Sequence, residues 1–193
     1  MRAPSFPRIT QLAVLVFVGL FAGCGDDNPT GPGTGGGVQV FPTLNSPQNV
    51  LQALVTAYET RDSVEYRKLY DFDYRGVSQD LSDGTMVILF NADEVGHIQS
   101  LARATTVTNV SLSLGPSTSW TRLPSDDLAH PEWAVIQISG SQLRLEINDT
   151  AHGSLIVGNP ANSYTFRFKP TPPDTVVTDT LWTIVQWNEV VPP

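Results

Sequence analysis

The stretch Ser46–Tyr74, SPQNVLQALVTAYETRDSVEYRKLYDFDY, predicts the two helices with which the fold begins. Ser46 followed by Pro47 is typical of a helix start, with a capping hydroxyl and a proline at the first helical position. Asp62 and Glu65 have the spacing of a capping box, which predicts a short second helix. The first helix carries one apolar stripe at helical spacing, formed by Val50, Leu51, Leu54, Val55 and Tyr58.

Downstream of this stretch, strand patterns dominate. A third helix is predicted from Asn91, with Glu94 at capping-box spacing and Val95, Ile98 and Leu101 along one side. The predicted strands, most of them alternating apolar and polar residues, are Met86–Phe90, Val110–Leu114, Trp133–Ser139, Leu143–Ile147, Tyr164–Phe168 and Leu181–Val190.

The order of these elements predicts an α+β fold, in which N-terminal helices pack on a curved antiparallel sheet. A strongly twisted sheet of this kind can curl around the helices into a cone-shaped roll. The segment Pro170–Pro173 is expected to interrupt the strands. Trp182 and Trp187 lie five positions apart, which places them on opposite faces of a regular strand. We therefore expect Trp182 inside the cone and Trp187 on its outer face, where a second chain could pair.

Composition excludes several classes of function. The chain has 193 residues and a formal net charge of −8. It has no cluster of Lys and Arg, so a nucleic acid is not expected as a partner. The single cysteine, Cys24, excludes an internal disulfide.

The N-terminus has the pattern of an export signal. A basic start precedes the short apolar run Leu12–Ala22, which is too short for a good membrane span. Its end, Leu20–Cys24 (LFAGC), resembles the lipobox of bacterial lipoproteins, with Phe21 where leucine is usual. Residues 1–23 are therefore predicted to be a lipoprotein signal peptide, and Cys24 is predicted to carry a lipid with acyl chains such as palmitate. The protein is expected to be exported and anchored to the cell envelope, in the outer or the cytoplasmic membrane, facing the periplasm or the exterior.

Residues 24–44 are predicted to be the lipidated cysteine and a flexible tether. The segment Gly25–Gly37 is rich in glycine and proline and has almost nothing to bury. It contains a G-x-G-x-x-G match at Gly31–Gly36, but no strand precedes it and no helix follows directly, so we interpret the glycines as linker composition. The folded domain is expected to span residues 45–193.

The opening of this domain resembles nuclear transport factor 2-like proteins, also called ketosteroid-isomerase-like or cystatin-like. The resemblance lies in Ser46–Tyr74, where an amphipathic helix, a polar turn, a short helix and an aromatic, acidic segment lead into the first strand. The closing segment around Trp182–Trp187 is also similar, and the resemblance spans residues 45–190. It implies a cone with a pocket between helices and sheet, and it implies no single activity.

Aromatic residues concentrate in the elements that would meet inside such a cone. They either line a ligand pocket or form an ordinary hydrophobic core, and the sequence leaves both alternatives open. The candidate pocket-lining residues are Tyr58, Tyr66, Tyr70, Phe72, Tyr74 and Trp182.

The sequence contains no recognisable catalytic motif. In isomerase-type relatives a carboxylate near the position of Asp80 acts as a base, but the polar surroundings of Asp80 favour a solvated loop. His97, His130 and His152 lie on separate elements without metal-ligand spacing. No catalytic residue, metal or cofactor is therefore predicted.

Two functions remain open at this point. The first is a membrane-anchored binding or protein-interaction module, whose partner is a small apolar ligand or an envelope protein, with a homodimer through the sheet as a further alternative. The second is a small-molecule isomerase or lyase that uses the cone pocket. A cone filled with side chains would favour the module, whereas a buried acid or histidine with a partner would favour the enzyme.

Overall fold

The computed structural model describes residues 39–172 and 179–193. The predicted signal peptide, Cys24 and most of the tether lie outside the described residues. The helices are α1 (Pro47–Thr60), α2 (Ser63–Lys68) and α3 (Asn91–Arg103), with a 3₁₀ turn at Ser117–Ser119. The strands are β1 (Tyr70–Asp80), β2 (Met86–Phe90), β3 (Val107–Ser113), β4 (Thr121–Leu123), β5 (Ala134–Ser139), β6 (Arg144–Asp149), β7 (Gly153–Val157), β8 (Ser163–Thr171) and β9 (Leu181–Val191).

The first two helices begin where their capping residues predict. The Ser46 hydroxyl accepts a hydrogen bond from the backbone N–H of Asn49 at 3.2 Å. The Asp62 carboxylate accepts hydrogen bonds from the backbone N–H groups of Val64 and Glu65 in the first turn of α2. Between the helices, Arg61 adopts the left-handed conformation, with φ of 56°. Its guanidinium donates to the Val107 carbonyl at 3.0 Å, which fixes the end of α1 against the start of β3. None of the helices in the described segments is long and apolar enough to cross a membrane.

The strands form two sheets. The larger sheet has the order β2-β1-β9-β8-β5-β4, and the smaller has the order β3-β6-β7. The α+β class is confirmed, and the larger sheet is open, with β2 and β4 at its edges. The prediction of an antiparallel sheet is wrong for one pair of strands, because β1 and β9 run parallel. The other strand pairs among the described residues are antiparallel. Alternation along a strand reports which face is buried and carries no information on the direction of the neighbouring strand.

Several strand boundaries also differ from those predicted. The short strands β4 and β7 were not predicted, and β1 continues to Asp80, which was expected to lie in a loop. The strand β8 runs through Pro170 to Thr171, within the segment expected to interrupt it. Beyond Phe168, β8 pairs with β9 alone, and a strand with one free side tolerates a proline that lacks an amide hydrogen.

A bulge in β9 changes which side chains face the core. Arg167 of β8 lies opposite Gln186. The next residue, Phe168, lies opposite Ile184, so Val185 is an extra residue on the β9 side. An extra residue shifts the alternation of the strand by one position. Residues on either side of Val185 therefore do not follow the simple two-residue period.

This bulge makes the prediction for Trp187 wrong. Trp187 lies opposite the fully buried Phe166, and their ring centroids are 4.8 Å apart. Trp182 lies opposite Pro170, and both tryptophans pack against the hydrophobic core. The two side chains therefore share the inner face of the sheet, and Trp187 is not available to pair with a second chain on the outer face.

Candidate functional site

The inner face of the larger sheet, the smaller sheet and the helices enclose a cavity of about 60 Å³. A cavity needs roughly 10–15 Å³ to hold one water molecule, so this space accommodates several waters or a small organic group. Much of its wall is apolar, from strands β2, β3, β6 and β7. Its polar wall residues are Tyr58, Tyr74, Ser78, Glu94, His97, Tyr164 and Glu189.

Glu94 is the centre of a buried hydrogen-bond network. Its side chain is 5% exposed, and its two oxygens accept bonds from the hydroxyls of Tyr66 at 2.9 Å and Tyr74 at 3.0 Å. The Tyr70 hydroxyl donates to that of Tyr66 at 2.8 Å, and the Tyr58 hydroxyl lies 3.4 Å from it. Four tyrosines from α1, α2 and β1 therefore connect to one carboxylate on α3.

Helix α3 places Glu94 in the cone because another residue caps the helix. The Asp93 carboxylate accepts the Phe90 amide at 2.8 Å, so the capping role expected of Glu94 belongs to its neighbour. Glu94 shares a helix face with the buried Ile98 and Leu101, which lie four and seven positions further along the helix.

Burial determines the protonation of this network. Removal from water raises the pKa of Glu94, although the bonds from Tyr66 and Tyr74 lower it in part. Burial also raises the pKa of Tyr66 and Tyr74 well above the usual value for tyrosine, and the nearby charge of Glu94 adds to this effect. The tyrosines therefore remain hydrogen-bond donors at neutral pH.

The raised pKa of Glu94 predicts a pH-dependent gain in stability for Glu94→Gln. The unfolded chain loses this proton near the ordinary pKa of 4.5, whereas the folded chain retains it to higher pH. Stability of the wild type therefore falls as pH rises from 4.5 through the folded pKa. Urea unfolding between about pH 4 and pH 8 should show Glu94→Gln becoming more stable relative to the wild type as pH rises. A difference in the free energy of unfolding between Glu94→Gln and the wild type that stays constant with pH would contradict the raised pKa of Glu94.

A second polar cluster surrounds Glu189 on β9. Its carboxylate is 6% exposed and accepts bonds from the Ser78 hydroxyl at 2.9 Å and the Asn162 amide at 2.7 Å. Tyr164 lies opposite Glu189 in the sheet, is 2% exposed and lines the cavity. Within the described part of the chain, the Tyr164 hydroxyl has no hydrogen-bond partner of acceptable geometry. Burial, followed by the charge of Glu189, raises the pKa of Tyr164 and keeps it protonated.

His97 lies on the same helix as Glu94, one turn further along. Its ring is 6.0 Å from that of Tyr58, and burial lowers the pKa of the imidazole. The ring is therefore neutral at physiological pH and offers one nitrogen acceptor and one N–H donor at the cavity wall.

The six predicted pocket residues occupy four kinds of position. Tyr58 and Tyr74 lie on the cavity wall, and Tyr66 and Tyr70 are buried behind it in the Glu94 network. Phe72 is 93% exposed on the outside of β1. Trp182 packs against the core without belonging to the cavity wall. Asp80 accepts bonds from the amide and hydroxyl of Ser82 in the turn after β1, which agrees with a solvated position outside the cavity.

Sequence reasoning missed Glu94, Glu189 and Trp187 as cavity residues. Glu94 had a detectable signal, because it is an acid at helical spacing from the apolar Ile98 and Leu101. Glu189 and Trp187 had none, because both reach the inner face through the bulge at Val185. Among residues 39–172 and 179–193, no group of three or more His, Cys, Asp or Glu side chains is arranged to hold a metal ion.

Comparison with solved structures identifies the fold. A nuclear transport factor 2-like protein of Rhodospirillum rubrum, of unknown function in nutrient uptake, superposes with a TM-score of 0.50 and 11% identity. The match covers 76% of this chain and 98% of that one. The domain has a nuclear transport factor 2-like fold. Comparison with protein-family models finds no match, and neither does comparison with curated protein sequences.

Other solved structures are similar at lower scores. A protein of Caulobacter vibrioides with a cystatin-like fold has a TM-score of 0.46 and 12% identity, covering 75% of this chain and 85% of that one. A ketosteroid isomerase-like protein of Erwinia carotovora atroseptica has a TM-score of 0.43 and 13% identity, and the match covers 76% of this chain and 94% of that one. At these identities the similarity concerns the fold and assigns no activity to the nuclear transport factor 2-like domain.

Proposed function

We propose that this chain is a lipid-anchored envelope protein whose nuclear transport factor 2-like domain binds a small molecule in the cone cavity. The anchor would be the lipid on Cys24, at the end of the sequence Leu20-Phe21-Ala22-Gly23-Cys24. About 20 residues separate Cys24 from the domain, and a flexible chain of that length has a root-mean-square span of roughly 25 Å. The domain would thus bind its ligand close to the membrane surface.

The observation that supports ligand binding most strongly is the Tyr164 hydroxyl. A buried polar group without a partner costs about 1–3 kcal/mol, so proteins rarely retain one without a reason. Tyr164 lines the same cavity as Glu189. A ligand with a polar group in the cavity would complete the hydrogen bonding that the folded chain leaves incomplete.

Three small probes of different charge test this proposal: tert-butanol, acetate and tetramethylammonium. Each is titrated into the full-length protein in a nonionic detergent while the indole N–H resonances of the four tryptophans are followed. At least one probe should shift the resonance of Trp187, which lines the cavity, in a saturable way. Trp120 is the internal control, because its indole is buried and bonded to the Leu114 carbonyl at 2.7 Å, and it does not line the cavity. Failure of all three probes to affect Trp187 would contradict binding in the cavity.

The isomerase or lyase alternative is retained because the cavity contains what would favour an enzyme, namely a buried acid with hydrogen-bond partners, Glu94, and a histidine, His97. A neutral imidazole at a cavity wall, one helical turn from a buried carboxylate, is an arrangement suited to abstracting a proton. We favour binding because both Glu94 oxygens already accept bonds from tyrosines. Catalysed exchange of the α-protons of cyclopentanone in deuterated water, lost in His97→Ala, would instead support the enzyme.

A further inference from the structure

We infer that the ligand of this cavity is a small organic cation, either a protonated amine or a quaternary ammonium. This inference rests on the proposed function and specifies its ligand. It follows from the buried charges, from the aromatic side chains of the wall and from the unpartnered hydroxyl of Tyr164.

The buried side chains of the cavity include two acids and no lysine or arginine. Across the described segments, the buried polar or charged residues are Glu94, Asn162 and Glu189. Both acids line the cavity, and no lysine or arginine does. The ion pairs found among the described residues include neither acid, since they join other carboxylates to surface cations. The chain therefore places two carboxyl groups in one apolar enclosure without supplying a positive charge.

Neutral hydrogen bonds offset this arrangement only in part. Glu94 accepts bonds from two tyrosines, and Glu189 accepts bonds from Ser78 and Asn162. Burial of a carboxylate without an opposite charge is costly, and hydroxyl and amide donors do not neutralise it. A cation in the cavity would favour the ionised form of both acids and supply the opposite charge, whereas an anion would make their ionisation more costly.

The aromatic wall suits an organic cation. Tyr58, Tyr74, Tyr164 and Trp187 all line the cavity. Ring faces attract ammonium groups within about 6 Å, and desolvation strengthens this attraction. The Tyr164 hydroxyl lies beside Asn162 and Glu189 without a hydrogen bond of acceptable geometry, and its oxygen can accept an N–H from a protonated amine. A divalent metal fits less well, because hard cations require about six oxygen ligands and the wall carries two carboxylates.

The test compares a charged probe with a neutral probe of similar shape. Tetramethylammonium chloride and tert-butanol are titrated separately, with sodium chloride holding the ionic strength constant, and the Trp187 indole resonance is followed. Tetramethylammonium should bind at least about tenfold more tightly than tert-butanol, a difference of about 1.4 kcal/mol. Acetate should not bind.

Variants of Glu189 test whether this cavity acid causes the preference for the cation. Glu189→Gln should weaken tetramethylammonium binding about tenfold or more and should affect tert-butanol binding less, so that the preference for the cation is lost. Glu132→Gln is the matched control, because it removes the same charge from an exposed side chain and should change neither affinity. Thermal unfolding confirms that each variant is folded. If Glu189→Gln does not fold, Glu189→Asp keeps the charge and should retain the preference for the cation.

The outcomes separate this inference from the proposed function. Equal affinity for tetramethylammonium and tert-butanol, or stronger binding of acetate, would overturn the cation assignment while leaving the cavity as a binding site. A Glu189→Gln variant that binds the cation as the wild type does would also overturn the assignment. Absence of any shift at Trp187 with all three probes would overturn the assignment and the proposed function together.

Discussion

Replacing Phe166 with alanine is expected to lower the free energy of unfolding by about 3–5 kcal/mol, measured by urea denaturation. Phe166 is completely buried on β8, which lies between β9 and β5 in the larger sheet. Its ring centroid is 4.8 Å from that of Trp187 and 6.4 Å from that of Phe168. Truncation would remove the contacts that join the sheet to the cavity wall and would leave a void there.

Phe72→Ala is the matched control for this measurement. It removes the same side chain from a position that is 93% exposed, so the free energy of unfolding should change by less than about 0.5 kcal/mol. Similar destabilisation by the two substitutions would mean that Phe72 is covered and that the inner and outer faces of the sheet are assigned incorrectly.

Replacing Cys24 with serine is expected to abolish membrane association, measured by fractionation of cells that express the full chain. The thiol of Cys24 is the proposed attachment point of the lipid, and a serine hydroxyl does not replace it. Each buried methylene of an acyl chain contributes about 0.8 kcal/mol to membrane binding, so removal of two or more chains should release the protein. The substituted protein should appear unprocessed or soluble.

Thr30→Ser is the control for the lipidation experiment. It changes a side chain in the predicted tether and leaves the sequence Leu20–Cys24 intact. This variant should fractionate with membranes as the wild type does. A Cys24→Ser protein that also remains with the membrane fraction would contradict the proposed lipid anchor.

The helices and most of the strands could be predicted because their signals are local. Ser46, Pro47 and Asp62 act on backbone groups within one helical turn, so their effect is evident from sequence spacing alone. Apolar and polar residues alternate along Tyr164–Phe168, as expected for a strand with one buried face, and β8 buries one face in the structure. The strand β7, GSLIV, carries a weak pattern because Ile156 is half exposed on the outer side of the smaller sheet.

The cavity could not be predicted in the same way, because it depends on relations between distant segments. The bulge at Val185 arises from the pairing of β8 with β9, and it moves Trp187 and Glu189 onto the inner face. The parallel pairing of β1 with β9 brings Ser78 beside Glu189, although 111 positions separate them in sequence. Glu94 was interpreted as a capping residue because the capping pattern fits both Asp93 and Glu94 within an error of one position.

The central claim is that the cone contains a cavity whose buried acids bind a small organic cation. Its most direct test is a crystal structure of the protein grown with tetramethylammonium chloride. The account predicts electron density for the cation inside the cavity, against Glu189 and the rings of Tyr164 and Trp187. A cavity that holds only water under these conditions, or carboxylates of Glu94 and Glu189 turned towards solvent, would contradict it.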